Sequence, residues 1–149
     1  MPEGLDVIVM DDDPEVCEGL SEVIKLFYSW GDVVPFTDFD KAVDYCRNHP
    51  TGLAVFVVDV FLGDKTGFTF LDTISEKFPM AYEDAIIVTG AASEDVVNMC
   101  IASGVNHLLE KPIREYALQF AVRAIVTKYI KFARKIIEDP DFADSVGKV

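Results

Sequence analysis

The sequence predicts an α/β domain in which helices cover both faces of one five-stranded parallel sheet. Short apolar, β-branched segments alternate with segments whose apolar residues recur every three or four positions, the spacing of one helical face. Two of the short segments, residues 53–58 and 85–88, show no polar alternation, which is typical of parallel strands buried on both faces. Strands that alternate with helices are joined by right-handed crossovers, so we expect a doubly wound parallel sheet.

Five segments are predicted strands, and each is followed by a predicted helix. The strands are expected at residues 5–10, 33–36, 53–58, 85–88 and 105–109. The helices are expected at residues 15–28, 38–48, 68–78 and 94–102, with a last one that starts after Pro112 and continues to about residue 138. Pro14 suits the first position of the first helix, Ser93 suits the N-cap of the fourth, and Gly104 marks that helix's end.

The composition indicates one globular domain that does not bind nucleic acid directly. A chain of 149 residues, half of them hydrophobic, can bury one core but is too short for two domains of ordinary size. Its formal charge of -13 would repel a phosphate backbone. Cys17, Cys46 and Cys100 lie among apolar residues, so we expect buried, reduced thiols. Since no leader and no apolar run of about 20 residues is visible, we expect a cytoplasmic protein without a membrane partner.

Polar residues suited to ligand binding or catalysis lie just after four of the five predicted strands. Asp11 and Asp12 follow the first, Asp59 the third, Thr89 the fourth and Lys111 the fifth. The carboxyl ends of parallel strands form one edge of the sheet, where α/β proteins bind their ligands. Three carboxylates that meet there repel one another unless a hard cation lies among them, and Mg²⁺ is held by one or two protein carboxylates together with phosphate oxygens. We therefore predict a magnesium site at this edge.

The same residues suit phosphoryl transfer. A carboxylate that attacks phosphorus forms an aspartyl phosphate, and the reaction needs little beyond in-line positioning and neutralised oxygens, so Asp59 is the predicted nucleophile. Lys111 can contact a second phosphoryl oxygen as a point charge, and the Thr89 hydroxyl can donate to a third. Gly90 leaves room beside that hydroxyl.

Four segments at these strand ends resemble the receiver domains of two-component response regulators, including chemotaxis regulators, over nearly all of residues 5–125. They are Val-Met-Asp-Asp-Asp-Pro, Val-Asp-Val-Phe-Leu-Gly-Asp-Lys-Thr-Gly, Ile-Val-Thr-Gly and Leu-Glu-Lys-Pro. The resemblance implies a flavodoxin-like receiver fold with strand order 2-1-3-4-5. It also implies that Asp11, Asp12, Asp59 and the backbone carbonyl of Phe61 bind the Mg²⁺ ion.

The resemblance further implies how the site is used. A histidine kinase or a phosphotransfer protein would phosphorylate Asp59, and Thr89 and Lys111 would respond to the product. The family usually carries Tyr or Phe three residues before the lysine, where its rotamer is coupled to the threonine, but this chain has Leu108. We therefore expect the phosphorylated state to be read out by another route.

Two further positions predict a slow loss of the phosphoryl group. Phe61 lies two residues after Asp59, and Ala91 lies two residues after Thr89. Neither side chain has a hydrogen-bonding group that could orient a hydrolytic water. Our hypothesis is therefore a long-lived phosphoryl group.

Two other functions stay open, and neither uses the two histidines. A pseudo-receiver would keep the fold as an interaction surface without phosphorylation. A phosphatase of the haloacid-dehalogenase type would use Asp11 as nucleophile with Asp13 two residues on, but Glu15 is not the hydroxyl residue of that pattern. His49 and His107 have no partner at metal-ligand spacing, so we expect them at the surface or in loops.

The C-terminal helix is longer than this fold requires, so we divide the chain into a receiver domain at 1–126 and a helical extension with tail at 127–149. An apolar seam with spacings of four and three runs along this helix at Leu118, Val122, Ile125, Tyr129, Phe132 and Ile136. Its second half would expose apolar residues beyond the domain. Three interpretations stay open: a homodimer through this helix, a helix that folds back on its own domain, and a linker to an output domain.

Overall fold

Five parallel strands form the central sheet of the computed structural model, which describes residues 4–147. The strands in chain order are β1 (Val7–Met10), β2 (Val33–Phe36), β3 (Val55–Asp59), the short β4 (Phe61–Leu62) and β5 (Lys65–Thr66), β6 (Ala85–Thr89) and β7 (His107–Glu110). The sheet has the order β2-β1-β3-β6-β7, and every neighbouring pair is parallel. With β4 and β5 set apart, this is the order 2-1-3-4-5, so the predicted fold class is confirmed.

Helices cover both faces of this sheet, as predicted. They are α1 (Pro14–Phe27), α2 (Phe39–Arg47), α3 (Gly67–Ile74), α4 (Glu94–Ser103), α5 (Glu115–Glu138) and α6 (Pro140–Val146). The core consists of two clusters, one between the sheet and α1 with α5, the other between the sheet and α2, α3 and α4. Side chains alternate between the faces of a strand, so Val55 and Val57 of β3 enter the first cluster while Phe56 and Val58 enter the second. This two-sided burial explains why the strand has no polar alternation.

Several boundaries differ from the sequence-based prediction because apolar residues also enter the core outside regular structure. Strands β1, β3 and β7 each begin two residues later than expected, and Leu5 and Val105 are buried just before them. Helix α3 ends at Ile74 rather than at residue 78. Phe78 lies in the following turn, packs edge-to-face on Phe56 at 5.3 Å and precedes a proline, which disfavours helical backbone.

A small hairpin between β3 and α3 is not foreseen from the sequence. Strands β4 and β5 pair antiparallel, with Phe61 opposite Thr66 and Leu62 opposite Lys65. Gly63 occupies the first turn position with a φ of 66°, a conformation that glycine adopts without a steric penalty. Two-residue strands are too short to produce a periodic pattern, so only the three-dimensional structure reveals this hairpin.

Helix α5 ends where the sequence predicts, but the chain does not stop there. Asp139 caps a further helix, α6, by accepting a hydrogen bond from the Phe142 amide, and Pro140 occupies its first turn. Phe142 then packs edge-to-face on Phe132 at 5.8 Å and covers part of the predicted seam. The last buried residue of α5 is Val126, although the helix runs on without a break. The domain boundary after residue 126 therefore stays a prediction, and residues 1–3 and 148–149 of the two predicted segments lie outside the described residues.

The extension of α5 is also tied to the sheet by polar contacts. Asp84, just before β6, is 1% exposed and accepts a hydrogen bond from Lys128 Nζ at 2.5 Å. Its second carboxylate oxygen accepts a hydrogen bond from the Tyr129 hydroxyl. A buried carboxylate needs such partners to offset its desolvation, so these contacts fix where α5 leaves the domain.

His49 lies in the loop after α2, which was one of its two predicted locations, and not at the surface. The His49 side chain is buried between the end of α2 and the start of β1, where Nε2 lies 2.8 Å from the Asp6 carboxylate. Its Nδ1 accepts a hydrogen bond from the Thr51 amide. The sequence gives no sign of this pair because His49 and Asp6 are far apart along the chain and meet only when β1 and α2 pack.

The expected burial of the three free cysteines is confirmed. Within residues 4–147, no helix is both long and apolar enough to cross a membrane.

Candidate functional site

The site residues lie at the carboxyl edge of the sheet because neighbouring strands end in register. Met10 of β1 pairs with Val58, so Asp11 follows at the level of Asp59, the last residue of β3. Thr89 ends β6, and it pairs with Glu110 of β7, immediately before Lys111. Every strand-end residue singled out from the sequence is thus at one edge of one sheet.

Three carboxylates meet at the centre of this edge. Asp11, Asp12 and Asp59 each offer an oxygen, and these oxygens lie within 4.8 Å of one another. Asp11 and Asp59 are buried, at 1% and 7% exposure, whereas Asp12 is exposed. Burial raises the pKa of Asp11 and the charge of Asp59 adds to this effect, although hydrogen bonds from the Asp13 amide and from Lys111 act in the opposite direction. Buried carboxylates that lie close together repel one another, and a hard divalent cation bound between their oxygens would offset this repulsion. The residues present therefore fit a metal ion.

Lys111 is the positive charge that the structure places in this cluster. Its Nζ lies 2.6 Å from Asp59 Oδ2 and 3.0 Å from Asp11 Oδ2. Burial by itself would lower the pKa of Lys111, but the hydrogen bonds and charges of the two carboxylates outweigh it, so the pKa is raised. Lys111 is therefore a firmly protonated ammonium group beside the predicted phosphoacceptor.

Local backbone contacts hold the acidic residues in place. Asp13 does not join the triad; its side chain accepts hydrogen bonds from the first turn of α1, and its own amide donates to Asp11 Oδ1 at 2.9 Å. The Asp12 carboxylate accepts a hydrogen bond from the Gly63 amide at 3.0 Å, which ties the β4–β5 hairpin to the site. Gly67 passes so close to the Asp59 carbonyl that a β-carbon there would clash with it. Neither glycine has a role that is predicted from the sequence.

Thr89 is fully buried, and its hydroxyl is engaged within its own loop. Its Oγ1 donates to the Ala91 carbonyl at 3.2 Å and accepts from the Ala91 amide at 3.3 Å. The Lys111 amide donates to the Thr89 carbonyl at 2.7 Å, which joins the ends of β6 and β7. The response of Thr89 to a phosphoryl group therefore stays a prediction, as does the role of the Phe61 carbonyl as a metal ligand.

Glu110 makes a contact near the site that is not predicted from the sequence. The Glu110 carboxylate accepts a hydrogen bond from the Ala92 amide at 2.7 Å. In the sequence, Glu110 is only one residue of the Leu-Glu-Lys-Pro segment. The feature of the sequence that could have indicated this contact is the position of a charged residue directly before Lys111. Leu108 is partly buried against the core, while Phe61 is 62% exposed beside the site.

Solved structures show the same fold. A response regulator receiver domain protein from Clostridium thermocellum has a TM-score of 0.74 and 16% identity over 86% of this chain and 98% of that one. A CheY-like receiver domain protein from Methanospirillum hungatei has a TM-score of 0.71 and 16% identity over the same shares. At such low identity, these likenesses show the fold alone.

Sequence comparisons extend beyond the fold. The chain is 23% identical to the heme response regulator HssR of Staphylococcus saprophyticus over 122 residues, which are 82% of this chain and 51% of that protein. It is 25% identical to the two-component response regulator ORR21 of Oryza sativa over 127 residues, 85% of this chain and 18% of that protein. The chain thus spans half the length of one relative and less of the other. The family model of the response regulator receiver domain matches residues 7–123. This chain therefore belongs to the response regulator receiver domain family of two-component signalling, which is not a classical enzyme family.

Proposed function

We propose that Asp59 is the phosphoacceptor of a two-component or phosphorelay pathway and that a histidine kinase or a phosphotransfer protein supplies the phosphoryl group. The observation that carries this proposal is the contact between the Lys111 ammonium and the Asp59 carboxylate inside an acidic triad. An ammonium group beside a nucleophilic carboxylate can offset the charge of the incoming phosphoryl oxygens.

Mg²⁺ is the proposed cofactor. Asp11, Asp12 and Asp59 would hold it with the Phe61 carbonyl, and the bound ion would supply positive charge against the phosphoryl oxygens. One Asp59 carboxylate oxygen forms the new bond to phosphorus while the phosphorus–nitrogen bond of the phosphohistidine breaks. The electron pair of that bond stays on the imidazole nitrogen. Lys111 is already hydrogen-bonded to Asp59 Oδ2. It is therefore placed to donate a hydrogen bond to a negatively charged oxygen of the phosphorylated product.

Thr89 completes the proposed response. Its hydroxyl would donate to a phosphoryl oxygen after exchanging its present partner, the Ala91 carbonyl. The backbone of Thr89 would stay fixed, since it lies in the central sheet and accepts a hydrogen bond from the Lys111 amide. The signalling change is therefore expected in the loop after Thr89, and not in the strand.

The partners and the location form part of the same proposal. A cytoplasmic site, reached by a kinase or phosphotransfer partner, is consistent with three free buried cysteines. A homodimer through α5 is supported by the partial exposure of the seam residues Phe132 and Ile136 and by the exposure of Ile137 beside them. Helix α6 shortens the seam that is available. No direct contact with nucleic acid is proposed.

Mass measurement after incubation with acetyl phosphate and Mg²⁺ tests the central proposal. We expect one added phosphoryl group on the wild-type chain and none on Asp59→Asn. Asp64→Asn, which removes a nearby carboxylate outside the triad, is the matched control and should be labelled like the wild type. Labelling lost in Asp11→Asn but kept in Asp59→Asn would favour the phosphatase, whereas an unlabelled but folded wild-type chain would favour the pseudo-receiver.

A further inference from the structure

Glu110 links the β6–α4 loop to the strand that carries the site lysine. Its carboxylate accepts the Ala92 amide hydrogen bond at 2.7 Å, and Ala92 lies three residues after Thr89. Glu110 is the last residue of β7 and the neighbour of Lys111. The two consecutive residues thus make different contacts, one with the Asp59 carboxylate and the other with the loop beyond Thr89.

The hydrogen bonds of Thr89 indicate why this contact matters. A hydroxyl has a single proton, and Thr89 now donates it to the Ala91 carbonyl. Donation to a phosphoryl oxygen would take that proton away and leave the carbonyl without this partner. The Thr89 backbone is fixed by pairing with Glu110 and by the Lys111 amide. Residues 90–92 are therefore the segment that can rearrange, and Gly90 has open space around it.

We propose that Glu110 is a positioning residue that latches the β6–α4 loop in its unphosphorylated conformation and releases Ala92 when Asp59 is phosphorylated. This inference rests on the proposed function of Asp59. The Glu110–Ala92 hydrogen bond would be lost when the loop moves, so it stabilises only the unphosphorylated conformation. A latch of this kind gives the chain a read-out that does not need an aromatic side chain at Leu108.

Beryllium fluoride with Mg²⁺, as a non-covalent phosphoryl mimic, allows the latch to be tested without turnover. We expect Glu110→Ala to bind it about 2- to 10-fold more tightly than the wild type, since one hydrogen bond that opposes the bound conformation is gone. Glu110→Gln keeps a weaker acceptor and should lie between the two. Glu76→Gln removes an exposed carboxylate in the turn after α3 and should bind like the wild type.

Amide hydrogen exchange at Ala92 gives a second readout that a merely structural role would not move. In the wild type, the mimic should accelerate exchange of this amide; in Glu110→Ala, exchange should be fast before the mimic is added. Unchanged or weaker binding by Glu110→Ala, with a wild type that binds, would overturn the latch alone. If Glu110→Ala does not fold, unchanged binding by Glu110→Gln overturns it equally. A wild-type chain that neither binds the mimic nor accepts label overturns the proposed function and the latch with it.

Discussion

Lys111 Nζ lies 2.6 Å from Asp59 Oδ2, although 52 residues separate the two along the chain. The same ammonium contacts Asp11 at 3.0 Å, so one cation lies between two buried carboxylates. The pair joins the end of β3 to the end of β7 across the intervening strand β6. The protein therefore offsets part of the negative charge of the acidic triad with its own ammonium group.

Lys111→Met should destabilise the fold when Mg²⁺ is absent. Removing one partner leaves buried carboxylates unpaired, and because Lys111 is partly exposed we expect a loss of about 1–3 kcal/mol in the free energy of unfolding. Added Mg²⁺ should restore more stability to the variant than to the wild type. Urea unfolding with and without Mg²⁺ measures both effects. Lys65→Met, which breaks an exposed pair with Asp40 at 3.9 Å, should change little, and equal losses in the two variants would contradict the expectation.

Asp12→Asn should weaken Mg²⁺ binding at least about tenfold, which corresponds to about 1.4 kcal/mol. The substitution removes one of three charges that face the proposed ion while leaving a side chain of similar size. Thermal unfolding over a series of Mg²⁺ concentrations gives the apparent affinity. Asp13→Asn is the matched control because Asp13 caps α1 outside the triad, and Asn is also a good cap. A similar loss of affinity in both variants would argue against the assigned triad.

The aspartyl phosphate should persist for minutes or longer in the wild-type chain. Phe61 and Ala91 have no side-chain group that could orient an attacking water, and Phe61 is exposed beside the site. Phe61→Asn supplies such a group and should shorten the lifetime, which is measured as loss of radioactive label in Mg²⁺. Leu26→Asn on the exposed surface of α1 should leave it unchanged. A wild-type lifetime of seconds would reject the hypothesis.

Stability should fall between pH 10 and 12 through Tyr28. Burial raises the pKa of Tyr28 from 10.0 to about 12, and its hydroxyl donates to the Leu5 carbonyl. The unfolded chain loses this proton first, so the stabilisation is complete below pH 10 and is lost as pH rises to 12. At about 1.4 kcal/mol per pKa unit, the loss amounts to about 3 kcal/mol. In urea unfolding, the difference in the free energy of unfolding between the wild type and Tyr28→Phe should therefore shrink as pH rises. A gap between the two that is constant with pH would contradict this, and the exposed Tyr116→Phe should show no such change.

Sedimentation tests the proposed dimer. Ile137 is 70% exposed on the extension of α5, so Ile137→Asp should shift a wild-type dimer to a monomer. Leu26→Asp places the same charge at an exposed apolar position of α1 and should keep the dimer. A wild-type chain that sediments only as a monomer would reject dimerisation through this helix.

The sequence by itself determined the fold class and the edge at which the site lies. Apolar periodicity reports which faces of a segment are buried, and it separated five strands from the helices between them. In a parallel sheet the carboxyl ends of all strands lie at the same edge, so the sequence alone was enough to place Asp11, Asp59 and Lys111 together. Where an apolar residue packs outside regular structure, as Phe78 does, periodicity extended the helix too far.

Only the tertiary structure decided which partner each polar group takes. Lys111 lies 100 residues from Asp11, and its hydrogen bonds depend on how loops from separate strands approach one another. The Asp6–His49 pair and the Glu110–Ala92 contact likewise join residues that are separated along the chain and brought together by folding. The physical reason is that burial follows a local period, whereas a hydrogen bond needs two atoms within about 3 Å. That distance is fixed by the packing of segments that are remote in sequence.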